Sequence, residues 1–139
     1  MGLERFVEAQ AEVYPIVLAE LRAAAKQTHW MWFIFPQLRG LGTSAMARRY
    51  CIADLIEARD YLRHRPLGTR LLECTGLLLA APAALSAVDM LGEVDAMKLR
   101  SCLTLFRAAG RGNDPFDAAL TRFHGGEADA RTTRLLRDI

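Results

Sequence analysis

With 139 residues, 52% hydrophobic and 24% charged, the chain has the length of one domain and enough apolar material to offset chain entropy, which excludes extended disorder. Eighteen basic against sixteen acidic residues leave a formal charge of +2. That is too near balance for a general attraction to nucleic acid or anionic lipid, although a local basic patch stays open.

Leu3, Phe6, Val7 and Gln10 begin a stripe of helical period, which Tyr14-Pro15 interrupts before Ile16, Leu18, Ala19, Leu21 and Ala25 resume it. This predicts two short helices or one kinked at Pro15. The period is then lost from Thr28 to Gly42, where HWMWFIFPQLRGLG sets both tryptophans beside a proline and two glycines. Ser44 is placed to cap a short helix through Ala45–Tyr50, and Asp54 to open the next, with Ile52, Leu55, Ala58 and Leu62 on its apolar face.

Pro66 suits a first helical position ahead of the stripe Leu67, Leu71, Cys74 and Leu78, and that helix ends in Ala80-Ala81-Pro82. Ser86-Ala87-Val88-Asp89 resembles a capping box and opens a helical turn stopped by Gly92. Val94 to Ala109 has the strongest helical pattern, with Leu99, Cys102, Leu103 and Phe106 one face deep. Asp114-Pro115 reads as a cap and first position for a helix ending near Phe123, Gly125-Gly126 as its exit, and Asp129 as the cap of a last helix carrying Leu135, Leu136 and Ile139. No hairpin signal or repeat occurs, so the expectation is all-α: a single compact domain over 1–139, of about seven short helices.

Cys51, Cys74 and Cys102 are odd in number, widely spaced and set in apolar patterns, which predicts buried thiols in a reducing compartment and no zinc pair. No basic flank leads into an apolar signal stretch, and no myristoylation signal follows Gly2. The longest apolar run, Trp30 to Pro36, is far short of the roughly 20 residues that cross a bilayer. A cytoplasmic protein without membrane contact is expected.

The chain lacks GxGxxG, a Walker phosphate loop, HExxH, an EF-hand loop and GxSxG, which removes the simplest support for Rossmann, P-loop, zincin and α/β-hydrolase chemistry. Candidate chemistry concentrates around the aperiodic run. His29, Gln37 and Arg39 flank it, Trp30, Trp32, Phe33 and Phe35 offer flat faces for a planar ligand, and Arg39 can grip a phosphate or carboxylate. The plainer alternative makes the aromatics core, His29 a donor to a backbone carbonyl and Arg39 a helix cap. Gly40 and Gly42 ahead of Ser44 can expose amide hydrogens to an anion, as helix amino ends do.

Lys98 and Ser101 lie one turn apart, with Asp95 three residues before the lysine, and either form a solvent-facing salt link or reach the cavity of His29 and Arg39. His124, Glu127 and Asp129 share one loop with Arg131, which supplies acid–base groups or merely a helix exit and cap. His64, between Arg63 and Arg65, is explained by a helix carboxyl end.

At HWMWFIFPQLRGLG, with LERFVEAQ, KLRSCLTLF and FHGGEADART, the chain closely resembles a bacterial family of uncharacterised small all-α proteins, sometimes labelled calpastatin in genomes. The resemblance runs from about Leu3 to Leu136 and implies an α-α-superhelix-like helical domain of unknown function. It includes Ser44, Tyr50, Lys98, Ser101, Thr104, Phe106, Phe123, Gly125, Gly126 and Asp129, and departs at Cys102, where the family more often has Ser, so no hydroxyl chemistry is expected there. The calpastatin label does not fit, because calpastatins are disordered, repetitive inhibitors. The residues therefore lead to a small anionic or nucleotide-like ligand held by His29, Trp30, Trp32, Gln37, Arg39, Ser44, Lys98 and Ser101. Two alternatives remain: an enzyme of nucleotide or ADP-ribose metabolism using the same pocket, with His29 as acid or base and Glu127 or Asp129 assisting, and a protein-interaction module with an exposed aromatic surface.

Overall fold

The computed structural model describes residues 2–112 and 114–138. The terminal apolar contact expected of Ile139 lies outside them. Among the described residues the chain forms ten helices: α1 Glu4–Ala11, α2 Tyr14–Arg22, α3 Met31–Ile34, α4 Ala45–Arg49, α5 Leu55–Arg63, α6 Leu67–Ala80, α7 Ala87–Leu91, α8 Glu93–Ala109, α9 Phe116–His124 and α10 Ala130–Arg137. The all-α expectation holds, with more helices than the seven anticipated. The excess comes from one-turn elements, α3 above all, whose Met31, Phe33 and Ile34 are buried and leave no polar face to mark a period. The single pairing of extended backbone among the described residues is a parallel bridge between Leu38 and Ile52.

Local chemistry sets most boundaries. Pro15 lies in the first turn of α2, where its missing amide costs no helical bond, so the amino-terminal pair is two helices. Ser44, Asp54 and Asp129 each accept the amide of the third residue inside their helix, from Ala47, Glu57 and Thr132, and Ser86 and Asp89 form a reciprocal capping box. Asp114 does not cap α9. Its carboxylate accepts the Arg111 amide at 3.0 Å instead, and Pro115 occupies the cap position without a side-chain bond.

Helix α8 lies at the centre, packed by α5, α7, α9 and α10, while α6 packs on α2, α3, α5 and α9. Leu99, Cys102, Leu103, Leu105 and Phe106 of α8 are fully buried in one continuous core. Each such leucine or phenylalanine contributes about 1.5–3 kcal/mol through burial. Aromatic rings run through this core in contact from Tyr50 to Phe6, Tyr61, Phe106 and Phe116, with centroids 5.3–5.9 Å apart.

Among the described residues, buried side-chain polar atoms are paired except His64 Nδ1 and His124 Nε2. The Gln10 amide donates to the Phe33 carbonyl at 2.7 Å and the Tyr61 hydroxyl at 3.2 Å, tying α1 to α3 and α5. The Arg122 guanidinium donates to the carbonyls of Leu78, Leu79, Ala81 and Pro82, closing the carboxyl end of α6. All three cysteines are buried and free. Burial pushes the Cys74 thiol up to about 12 and raises Cys102 as well. Among the described residues no helix is long and apolar enough to cross a membrane.

Candidate functional site

The approach to the aromatic run is fixed by one carboxylate. Glu20, on α2, accepts the backbone amides of Gln27 and Thr28, the Thr28 hydroxyl and the Trp30 indole N–H, all between 2.7 and 3.0 Å. Burial alone would raise this carboxyl, yet donation from Thr28, Gln27 and Trp30 outweighs it and holds the group at about 2. Thr28 and Trp30 are thereby drawn to one acceptor, and His29 between them is left exposed.

The next residues form a charged cluster. The Lys26 amide donates to the Met90 carbonyl at 2.8 Å, and its ammonium meets Asp95 at 2.8 Å while lying 5.1 Å from the Trp30 ring centre. Asp95 also meets the Lys98 ammonium at 3.2 Å, and Lys98 sits 3.7 Å above the ring centre of Trp32. Side-chain exposures are only 7% for Lys26, 16% for Asp95 and 17% for Lys98. Burial works to raise the Asp95 carboxyl, but the two ammonium groups prevail and lower it. The Asp95–Lys98 link, local to α8, is thus largely desolvated together with its tertiary partner Lys26 and is not a solvent-facing pair.

Lys98 and Trp32 border a hollow of about 250 Å³ between α3, the loop after it, α8 and the start of α10. Val94, Lys98 and Ser101 reach it from one face of α8, as their spacing allows. Gln37 is positioned by backbone bonds of 2.8 Å from Ile52 to Gln37 and from Arg39 to Ile52. Asp129 and Arg131 come from the opposite side. That edge is held because Thr104 accepts the Asp129 amide at 2.9 Å and Arg100 donates to the Glu127 carbonyl at 2.9 Å and to its carboxylate at 3.1 Å. The positive φ of Gly125 and Gly126 makes the turn between α9 and this edge.

The hollow therefore joins an aromatic and apolar wall to two cations, an amide and a hydroxyl. Ser101 donates to the Met97 carbonyl at 3.3 Å. The Asp129 carboxylate is committed to the Thr132 amide and hydroxyl at 2.9 and 2.6 Å.

The structure brings Trp32, Gln37, Lys98, Ser101 and Asp129 together. It does not bring His29, Trp30, Arg39 or Ser44 there. Trp30 is core, 1% exposed. Arg39 is exposed beside the buried, bridge-forming Leu38, and Ser44 is the cap of α4, supplying the Ala47 amide with its partner. The convergence of His29 and Arg39 with Lys98 does not occur, and the half-buried Trp32 with the buried Trp30 forms no flat exposed aromatic surface.

His124 lines a separate hollow of about 350 Å³ with Phe123, Met97 and Arg100. Burial and the Arg100 charge lower its pKa, and its Nε2 is buried without a partner among the described residues. Glu127 is exposed and paired to Arg100. Sequence reasoning missed Lys26, whose meeting with Asp95 is a tertiary event without local signal. It also missed the wall residues Val94 and Met97, although Val94 lies seven positions before Ser101 and shares its helical face.

These features define a small all-α protein whose central helix presents a cation-bearing, tryptophan-walled hollow. It belongs to the family described as "Protein of unknown function (DUF1810)", whose model matches residues 1–136. The fold is similar to the crystal structure of the conserved hypothetical protein Rv1873 from Mycobacterium tuberculosis, with a TM-score of 0.94 and 51% identity over 97% of this chain and 96% of that one. No curated protein matches the chain.

Proposed function

We propose that the hollow beside Trp32 and Lys98 binds a small, nucleotide-like anion that carries a planar or apolar group. The observation that carries this reading is the charge imbalance in a dry place: two lysines share the single carboxylate of Asp95, leaving one net positive charge beside the hollow with little water to solvate it. An anion offsets that cost, and Arg131, Gln37 and Ser101 supply further donors around the same space. Trp32, Leu41, Val94 and Met97 supply apolar surface for the rest of the ligand. Lys98 is held by Asp95 and Trp32 before any ligand arrives, so little ordering is left for binding to oppose.

Among the described residues the hollow has no imidazole in its wall, and its one carboxylate, Asp129, serves as a helix cap. Binding is therefore favoured over acid–base turnover by His29. The buried free thiols support a reducing, cytoplasmic setting.

A thermal-shift screen of nucleoside monophosphates and aromatic carboxylates, followed by tryptophan-fluorescence titration, tests this reading. The wild type is expected to bind at least one compound of this class, and Lys98→Met and Trp32→Leu to weaken it tenfold or more, by about 1.4 kcal/mol. Binding profiles unchanged by Lys98→Met overturn it.

A further inference from the structure

At the far end of α8 a second hollow, of about 290 Å³, lies between the carboxyl ends of α5 and α8. Arg59 and Arg63 reach it from α5 and Arg111 from the segment after α8, over a floor that includes Leu62 and Ala109. Arg59 and Arg63 are four residues apart on α5, the spacing at which like charges on a helix repel. None of the three guanidiniums has a hydrogen-bond or ion-pair partner among the described residues, whereas Arg5, Arg100 and Arg107 are paired with carboxylates.

The one carboxylate lining the hollow among the described residues, Asp114, gives an oxygen to the Arg111 amide. Its approach to the end of α8 is built in: a Cβ on Gly110 would lie 2.1 Å from that same oxygen. Three guanidiniums against one carboxylate leave this small space with an excess of two positive charges, as much as the formal +2 of the whole chain. The attraction of arginine for a helix carboxyl end accounts for Arg63, the last residue of α5. It does not account for Arg59, a turn earlier, or for gathering all three around one concavity.

We propose that this hollow binds a diphosphate group, carried by a small molecule or free, through Arg59, Arg63 and Arg111. The chemistry selects the class. Each guanidinium presents a planar fork of donors, and a lone carboxylate has only two oxygens to offer three forks. A diphosphate has enough terminal oxygens to engage all three, and its negative charge is at least as large as the excess. The space holds two phosphoryl groups and the start of a carrier, and the apolar floor is too small to recognise much more.

Isothermal titration of the full chain with inorganic pyrophosphate and with ADP, paired with amide chemical-shift mapping, tests the proposal. Pyrophosphate is expected to bind saturably, to shift the amides of Arg59, Arg63, Gly110 and Arg111, and to weaken with added salt. Affinity falls about tenfold or more in Arg63→Gln/Arg111→Gln, whose exposed side chains leave the core intact, and is retained in Lys98→Met, which separates this site from the tryptophan-walled one. ADP binding more tightly than pyrophosphate identifies a nucleoside carrier, and equal affinity makes the phosphate chain the whole determinant; either supports the site. Absence of saturation up to about 10 mM, equal affinity in the double variant, or shifts confined to the Trp32 hollow overturns it.

Discussion

Replacing Asp95 by Asn removes the carboxylate that Lys26 and Lys98 share in a cluster that keeps both lysines nearly out of water. The raw attractions at 2.8 and 3.2 Å are each about 5–6 kcal/mol at an effective dielectric near 20, and desolvation of the three groups cancels much of this. Removing one partner of a buried pair costs about 3–5 kcal/mol because the other charge is stranded. The small residual exposure, and the oxygen that Asn still offers one lysine, reduce the expected loss to about 2–3 kcal/mol, or roughly 6–12 °C in melting temperature.

Acid supplies the second signature. The Asp95 carboxyl titrates below its ordinary value of 3.8 in the folded chain. Its contribution is therefore complete above that value and lost as pH falls through the lower folded one. The stability gap between wild type and Asp95→Asn is expected to be constant near neutrality and to close in acid. Lys26→Met added to Asp95→Asn should restore part of the loss by removing a stranded charge. Urea unfolding followed by tryptophan fluorescence measures all of this. A loss under about 0.5 kcal/mol near neutrality, or a gap that stays constant down to the acid limit, refutes the reasoning.

Glu20→Gln should cost about 1–2 kcal/mol after allowance for solvent screening. Because the folded carboxyl is held at about 2 against an ordinary 4.5, that gap, too, should be full above 4.5 and close as pH falls toward 2 in acid-denaturation curves. Gly68→Ala places a Cβ 1.9 Å from the Leu62 carbonyl oxygen, a backbone clash expected to cost about 3 kcal/mol in chemical denaturation. Arg122→Ala strips four carbonyls of α6 and its exit of their donor, for a loss of about 2–3 kcal/mol and faster amide exchange near the end of α6. Arg122→Lys should recover only part, since an ammonium lacks the planar fork.

The helix starts were legible wherever a short polar side chain could do the work locally. Ser44, Asp54, Ser86 with Asp89, and Asp129 all serve as their sequence context indicates. Asp114 was misread because a nearer donor, the Arg111 amide, took its carboxylate. Helix α3 was invisible because a single turn buried on several sides carries no alternation. In the hollow, Lys98 and Ser101 of α8 followed from helical spacing, whereas His29 was misplaced by its neighbours: Thr28 and Trp30 both answer to Glu20, a residue of an earlier helix. Arg39 was misplaced for a similar reason, since the bridge to Ile52 fixes the backbone around it and buries Leu38, leaving the guanidinium exposed. Such outcomes depend on partners distant in sequence, which periodicity does not encode.

Helix α8 spans 17 residues, a rod about 25 Å long. Its first half walls two hollows set back to back, with Met97, 72% exposed, as their common partition, and its last residue borders the arginine-rich one. Any tilt or axial slide of this rod reshapes all three concavities at once, so selection cannot retune one through α8 without disturbing the others.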